Sequence, residues 1–120
     1  MSEDTFDFPI TSHRFIDEGK TPPVVRAFRT ECRLVCIHPP HEESFGGEWI
    51  CSHMLCGVRL WSFATSVEQG RAFAIALEAL VGFDRLAMWR VNTTTNYSNL
   101  DATDFANLAS AIQIAQEQVK

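Results

Sequence analysis

The chain has 120 residues, 46% of them hydrophobic and 11% aromatic, and ten Lys and Arg stand against fifteen Asp and Glu for a net charge of −5. Nine Phe and three Trp exclude a disordered segment, the length fits one domain, and no apolar run approaches the ~20 residues that a membrane span requires. A negative balance without a basic stripe disfavours nucleic acid as a partner, because backbone phosphates are held by clustered Lys and Arg.

Residues 1–23 read as an irregular lead-in. Pro9, Pro22 and Pro23 lie among acidic and polar positions and leave room for one short edge strand at most. The opening MSEDTFDFPI has neither the basic nor the apolar region of a secretory signal, so a cytoplasmic location with reduced cysteines is expected. From Val24 to Ile37 polarity alternates. Arg29, Glu31 and Arg33 share one parity and Phe28, Cys32, Leu34 and Cys36 the other, which predicts a strand. Pro39-Pro40 and Gly46-Gly47 make 38–47 a loop. A second extended stretch, 48–61, would reach ~45 Å as one strand, too long for this domain, so Gly57 is the expected bend or bulge. The two stretches pair antiparallel.

Thr65 is the expected cap of a helix, with Glu68 reaching back as its box partner. Phe73, Ala76, Leu77, Leu80 and Val81 repeat at helical spacing, and Gly82 is the stop. Arg85 to Val91 reads as another strand and 92–99 as a polar loop. Asp101 is the expected cap of a last helix, with the stripe Phe105, Leu108, Ile112, Ala115 and Val119. The expected fold is a two-layer α+β domain over 1–120, with 24–120 its core. A small, mostly antiparallel sheet of three or four strands carries two helices on one face, in the order β-β-α-β-α.

Cys32, Cys36, His38, His41, Cys51, His53 and Cys56 fall within 25 residues, a density of N and S donors that would suit zinc. Their spacing does not. Cys32 and Cys36 lie ~13 Å apart along a strand, whereas sulfurs on one zinc lie within about 4 Å of each other. The expected role of Cys32, Cys36 and Cys56 is that of small core hydrophobes, and no metal is expected. A loop site from His38, His41 and Cys51, or a Cys51–His53 nucleophile pair, is the alternative, which would make the chain a small enzyme or metal-binding protein. No G-x-G-x-x-G, P-loop or G-x-S-x-G occurs, so no cofactor is implied.

One sheet face stands out. Ile50, Met54, Cys56, Val58 and Leu60 share the parity that would face the helices. The other parity holds Trp49, Cys51, His53, Leu55, Arg59 and Trp61, beside Arg29, Glu31 and Arg33 of the neighbouring stretch. Trp and Arg are the residues of binding hot spots, and eight Arg against two Lys suit planar pairing with carboxylates. Trp49, Trp61, His53, Arg29, Arg33 and Arg59 are therefore the candidate partner-binding residues. Folding of residues 1–23 over this face would instead make it a second small core.

The favoured function is a non-enzymatic module that binds another protein. The same face would serve self-association, with a C2 dimer as the default symmetry. In size and charge the chain resembles small acidic immunity and anti-defence proteins. That resemblance rests on no particular residue and implies an inhibitor of a larger enzyme or complex.

Overall fold

The computed structural model describes residues 5–9, 24–38, 49–55, 58–92 and 97–119. Five strands form one antiparallel sheet whose spatial order is the chain order: β1 (Thr5–Pro9), β2 (Val24–Arg29), β3 (Val35–His38), β4 (Trp49–His53) and β5 (Arg59–Ala64). There follow α1 (Val67–Val81), α2 (Phe83–Met88), the two-residue strands β6 (Val91–Asn92) and β7 (Tyr97–Ser98), which pair with each other, and α3 (Ala102–Gln118). The α+β class with helices on a sheet is the one expected; the sheet has more strands than the sequence reading gave it.

Three segments differ from that reading, each for a local reason. The stretch 24–37 is two strands, because 30–34 turns. Cys32 and Leu34 are buried in this turn while Glu31 and Arg33 are exposed, and Thr30 Oγ1 lies within hydrogen-bond reach of the Val35 carbonyl at 2.8 Å. Val35 N donates back to Cys32 O at 3.2 Å. Next, 48–61 also divides in two, with His53 N donating to Val58 O. Cys56 and Gly57, the expected bend, lie outside the described residues, and so do the loop 39–48 and residues 10–23. Register irregularities fall between Trp49 and Cys51 and between Cys51 and Ser52, opposite β5. Finally, the strand expected at 85–91 is replaced over most of its length by α2, whose Leu86 is buried together with Trp89 three residues on. An i, i+3 pair with Arg85 reaching Asp104 satisfies a helix as well as alternation satisfies a strand.

Successive strand residues point to opposite faces, so the pairing register assigns each side chain to a layer. The row Phe28–Ile37–Cys51–Trp61 faces the helices, since Gly70 of α1 lies directly against Ile37. The adjacent row Arg29–Cys36–Ser52–Arg59 faces away; the irregularity between Cys51 and Ser52 leaves Leu60 as an extra residue in β5, so Leu60 and Trp61 both join the helix-side core and Arg59 falls on the other face. The helix-side core gathers Val35, Ile37, Cys51, Trp61, Phe73, Leu77, Leu86, Trp89, Ala111 and Ala115. On the far face Phe8, Ala27 and Cys36 form a second, smaller cluster, flanked by Phe6 and Met54.

The helices are pinned at their ends. Ser66, one residue after the expected Thr65, caps α1 by accepting from Gln69 N at 3.1 Å. Thr65 N donates to Gln69 Oε1, so the side chain that reaches back is that of Gln69 rather than Glu68, and it meets the residue before the cap. Gln69 Nε2 also donates to Val119 O, and Asn107 Nδ2 reaches Leu80 O, which sets α3 antiparallel to α1. Gly82 ends α1 and starts α2 at φ +91°, a conformation that an L side chain rarely takes. Asp101 caps α3 as expected, in a full box with Asp104. The α3 stripe is rotated from the expected one. Ala111 and Ala115 are buried with Leu108 and Ile112 beside them, but Phe105 is 54% exposed because Asp104 takes the inward position to meet Arg85.

Candidate partner-binding site

The six residues expected on one face are divided between two. His53 and Trp61, 0% and 6% exposed, belong to the helix-side core. This corrects their assignment to an open surface, and the reason is the sidedness of β4: the Trp49–Cys51–His53 parity turns toward α1, while Ile50 and Ser52 turn away. His53 tolerates burial because both ring nitrogens are engaged. Leu55 N donates to Nδ1 at 3.3 Å, which leaves the proton on Nε2 for the Leu86 carbonyl at 2.8 Å. Its ring stacks on Trp89 at 6.4 Å, and Trp61 tilts against Phe73 at 5.5 Å. Trp49 is half-buried at the margin of this core, edge-on to Phe28 at 5.7 Å.

The arginines lie elsewhere. Arg29 and Arg59 end the outward row that runs through Cys36 and Ser52, and both are exposed. Arg29 and Arg33 come together at the end of the sheet where β2 turns into β3. With Thr30, Val35 and Met54 they line an open cleft of about 410 Å³. The Arg29 guanidinium carbon lies over the Phe6 ring, 4.4 Å from its centroid, a cation–π contact. Arg33 projects from the turn and makes no hydrogen bond or ion pair among the described residues. The turn that carries it is anchored inward by Cys32 and Leu34 and by Met54 N donating to Leu34 O at 2.8 Å. Sequence reasoning missed Thr30, Val35 and Met54. The one signal for them was Thr30, whose hydroxyl closes a turn in place of the usual Gly or Pro.

Cys32, Cys36 and Cys51 are buried free thiols. Burial pushes the Cys36 and Cys51 thiols up to about 12 and the Cys32 thiol up to about 11, so each is a protonated thiol at neutral pH. Cys51 and His53 share a face, but the ring nitrogens of His53 already serve Leu55 and Leu86. His38, expected in the loop, is the last residue of β3. It is buried, stacks on Phe8 at 5.4 Å and shares a 2.9 Å hydrogen bond with Ser52 Oγ. Among the described residues no three His, Cys, Asp or Glu side chains converge as metal ligands would; His41 and Cys56 lie outside them. No helix is long and apolar enough to cross a membrane among the described residues.

The shortest ion pair among the described residues joins two helices. Arg85 joins α2 to Asp104 of α3 and donates also to Asn99 O at 3.1 Å. The Arg85 hydrogen bond is the main reason the Asp104 carboxyl titrates below the ordinary aspartate range. The pair is a brace between helices, with Asp104 committed both to Arg85 and to the cap of α3. Comparison with protein-family models, with curated proteins and with solved structures finds no match for the chain.

Proposed function

We propose that the protein is a non-enzymatic protein-binding module that engages its partner through the cleft at the 30–34 turn. One observation carries this reading: two exposed arginines, one in cation–π contact with Phe6, converge on a cleft built from a turn that the core anchors. Arginine is enriched at the energetic centres of interfaces, and a rigid base reduces the ordering cost of binding. The small size and acidic balance support the finer reading, an inhibitor that seats on a larger enzyme or complex. Affinity capture from the native host, run in parallel with the wild type and Arg29→Glu/Arg33→Glu, tests the site. A partner retained in stoichiometric amount by the wild type and lost by the double variant supports it, provided both proteins melt alike. Equal retention by the two removes the cleft from the interface.

A further inference from the structure

Resting on that reading, we infer that the occupant of the cleft is an acidic segment of the partner protein, with a carboxylate between Arg29 and Arg33 and an aliphatic neighbour against Met54. The polar side chains that line the cleft and are free to donate belong to the two arginines. Thr30 already directs its hydroxyl at the carbonyls of its own turn. Among the described lining residues the charged groups are the two guanidinium donors, and such a pair selects an anion. The planar fork of Arg matches a carboxylate through two parallel hydrogen bonds, and the Phe6 contact of Arg29 takes none of its N–H donors in a hydrogen bond to a side-chain acceptor.

Charge decides the kind of anion. Glu31 sits in the same turn, exposed between the two arginines in sequence, and offsets one of their two charges. The surplus suits one or two carboxylates rather than a polyphosphate, and the net charge of −5 repels long polyanions. Val35 and Met54 are the apolar members of the described lining. Met54 is half-buried and Leu55 beside it is 55% exposed, a partner for an aliphatic side chain next to the acidic one. A volume of about 410 Å³ is room for a few side chains, not for a folded element.

The test is a ¹⁵N-resolved NMR titration of the whole chain with acetyl-Leu-Glu-Glu-Leu-amide, with the Leu-Gln-Gln-Leu counterpart and with inorganic phosphate. The acidic peptide is expected to shift the amides of residues 29–35 and 54–55 and the Arg29 and Arg33 Nε–H signals saturably. The Gln peptide and phosphate should each bind about tenfold more weakly or worse, the loss expected for a missing charge-assisted pair. Arg29→Gln/Arg33→Gln, with an otherwise unchanged spectrum, should weaken the acidic peptide at least as much. Equal binding of the Gln peptide, equal binding of phosphate, shifts centred elsewhere, or no cleft shifts up to about 20 mM peptide would each overturn the inference. Host capture that depends on the arginines, combined with any of these results, overturns only the chemistry of the occupant. Capture indifferent to the arginines overturns the site itself.

Discussion

Replacing Gly70 by alanine sets two effects of known size against each other. At the fourth residue of α1, where Gly70 N already donates to Ser66 O, an alanine should gain up to about 1 kcal/mol over glycine from backbone entropy alone. The new methyl, however, would lie 2.8 Å from Ile37 Cδ1, 3.0 Å from Cγ1 and 3.3 Å from Cγ2. Ile37 is fully buried in β3 and β-branched, so it has little freedom to turn aside. Overpacking of this kind costs about 1–3 kcal/mol, and three close atoms on one stiff side chain place the cost in the upper part of that range. The net expectation is a loss of about 1–2 kcal/mol. With an unfolding entropy near 2.1 cal/mol/K per residue, that lowers Tm by roughly 4–8 °C in a chain this long. The control is the same substitution in an Ile37→Val background, which lacks the nearest carbon. There Gly70→Ala should become neutral or stabilising relative to Ile37→Val alone. Thermal melts of the four proteins decide it. A higher Tm for Gly70→Ala in the wild-type background, or the same shift in both backgrounds, would refute the packing of α1 on the Ile37–Cys51–Trp61 face.

Further substitutions separate core from surface. Trp61→Ala should cost ~3 kcal/mol or more, while Arg33→Glu should stay within about 0.5 kcal/mol, as denaturant melts will show. Asp104 has a lowered folded-state pKa, so its contribution is full above about pH 4 and is lost as the pH falls further. Asp104→Asn should therefore melt lower than the wild type at pH 7 and show a flatter decline in Tm below pH 4. The thiol shifts carry the opposite sign: raised values stabilise below pH ~9 and the benefit fades as the pH climbs toward about 12. Cys32, Cys36 and Cys51 should accordingly resist a thiol reagent at pH 8 in the native protein and react once urea unfolds it.

Much of this fold can be read from local chemistry. Helix α3 announces itself through Asp101, and α1 through an apolar repeat that ends at Gly82. The turn at 30–34 cannot be read in the same way, because it contains neither Gly nor Pro. Its sequence alternates buried and exposed positions just as a strand does, and the hydroxyl of Thr30 supplies the closure. Arg85–Val91 is ambiguous for the converse reason: Leu86 and Trp89 fit an inward helical pair, and only the Arg85–Asp104 brace decides for the helix. The sidedness of β4 was the hardest point. Its two parities, Trp49–Cys51–His53 and Ile50–Ser52–Met54, differ little in apolar content. Which one meets the helices is settled by shape, since the Phe28–Ile37–Cys51–Trp61 row receives the Gly70 notch of α1. With that reversal His53 and Trp61 leave the candidate site and enter the core. The arginine members Arg29 and Arg33 remain together because Arg29 ends β2 and Arg33 lies in the turn that follows it.

Exposed Leu80, Phe83, Met88 and Phe105 mark the helical side of the molecule as the competing surface for a partner. Amide hydrogen exchange, comparing the free protein with the captured complex, distinguishes that side from the cleft in one experiment. Engagement through the cleft predicts slowed exchange concentrated in residues 29–35 and 53–55, with α2 and the start of α3 unchanged. Protection centred on residues 80–88 and 102–108, with the 30–34 turn exchanging as in the free protein, would contradict it.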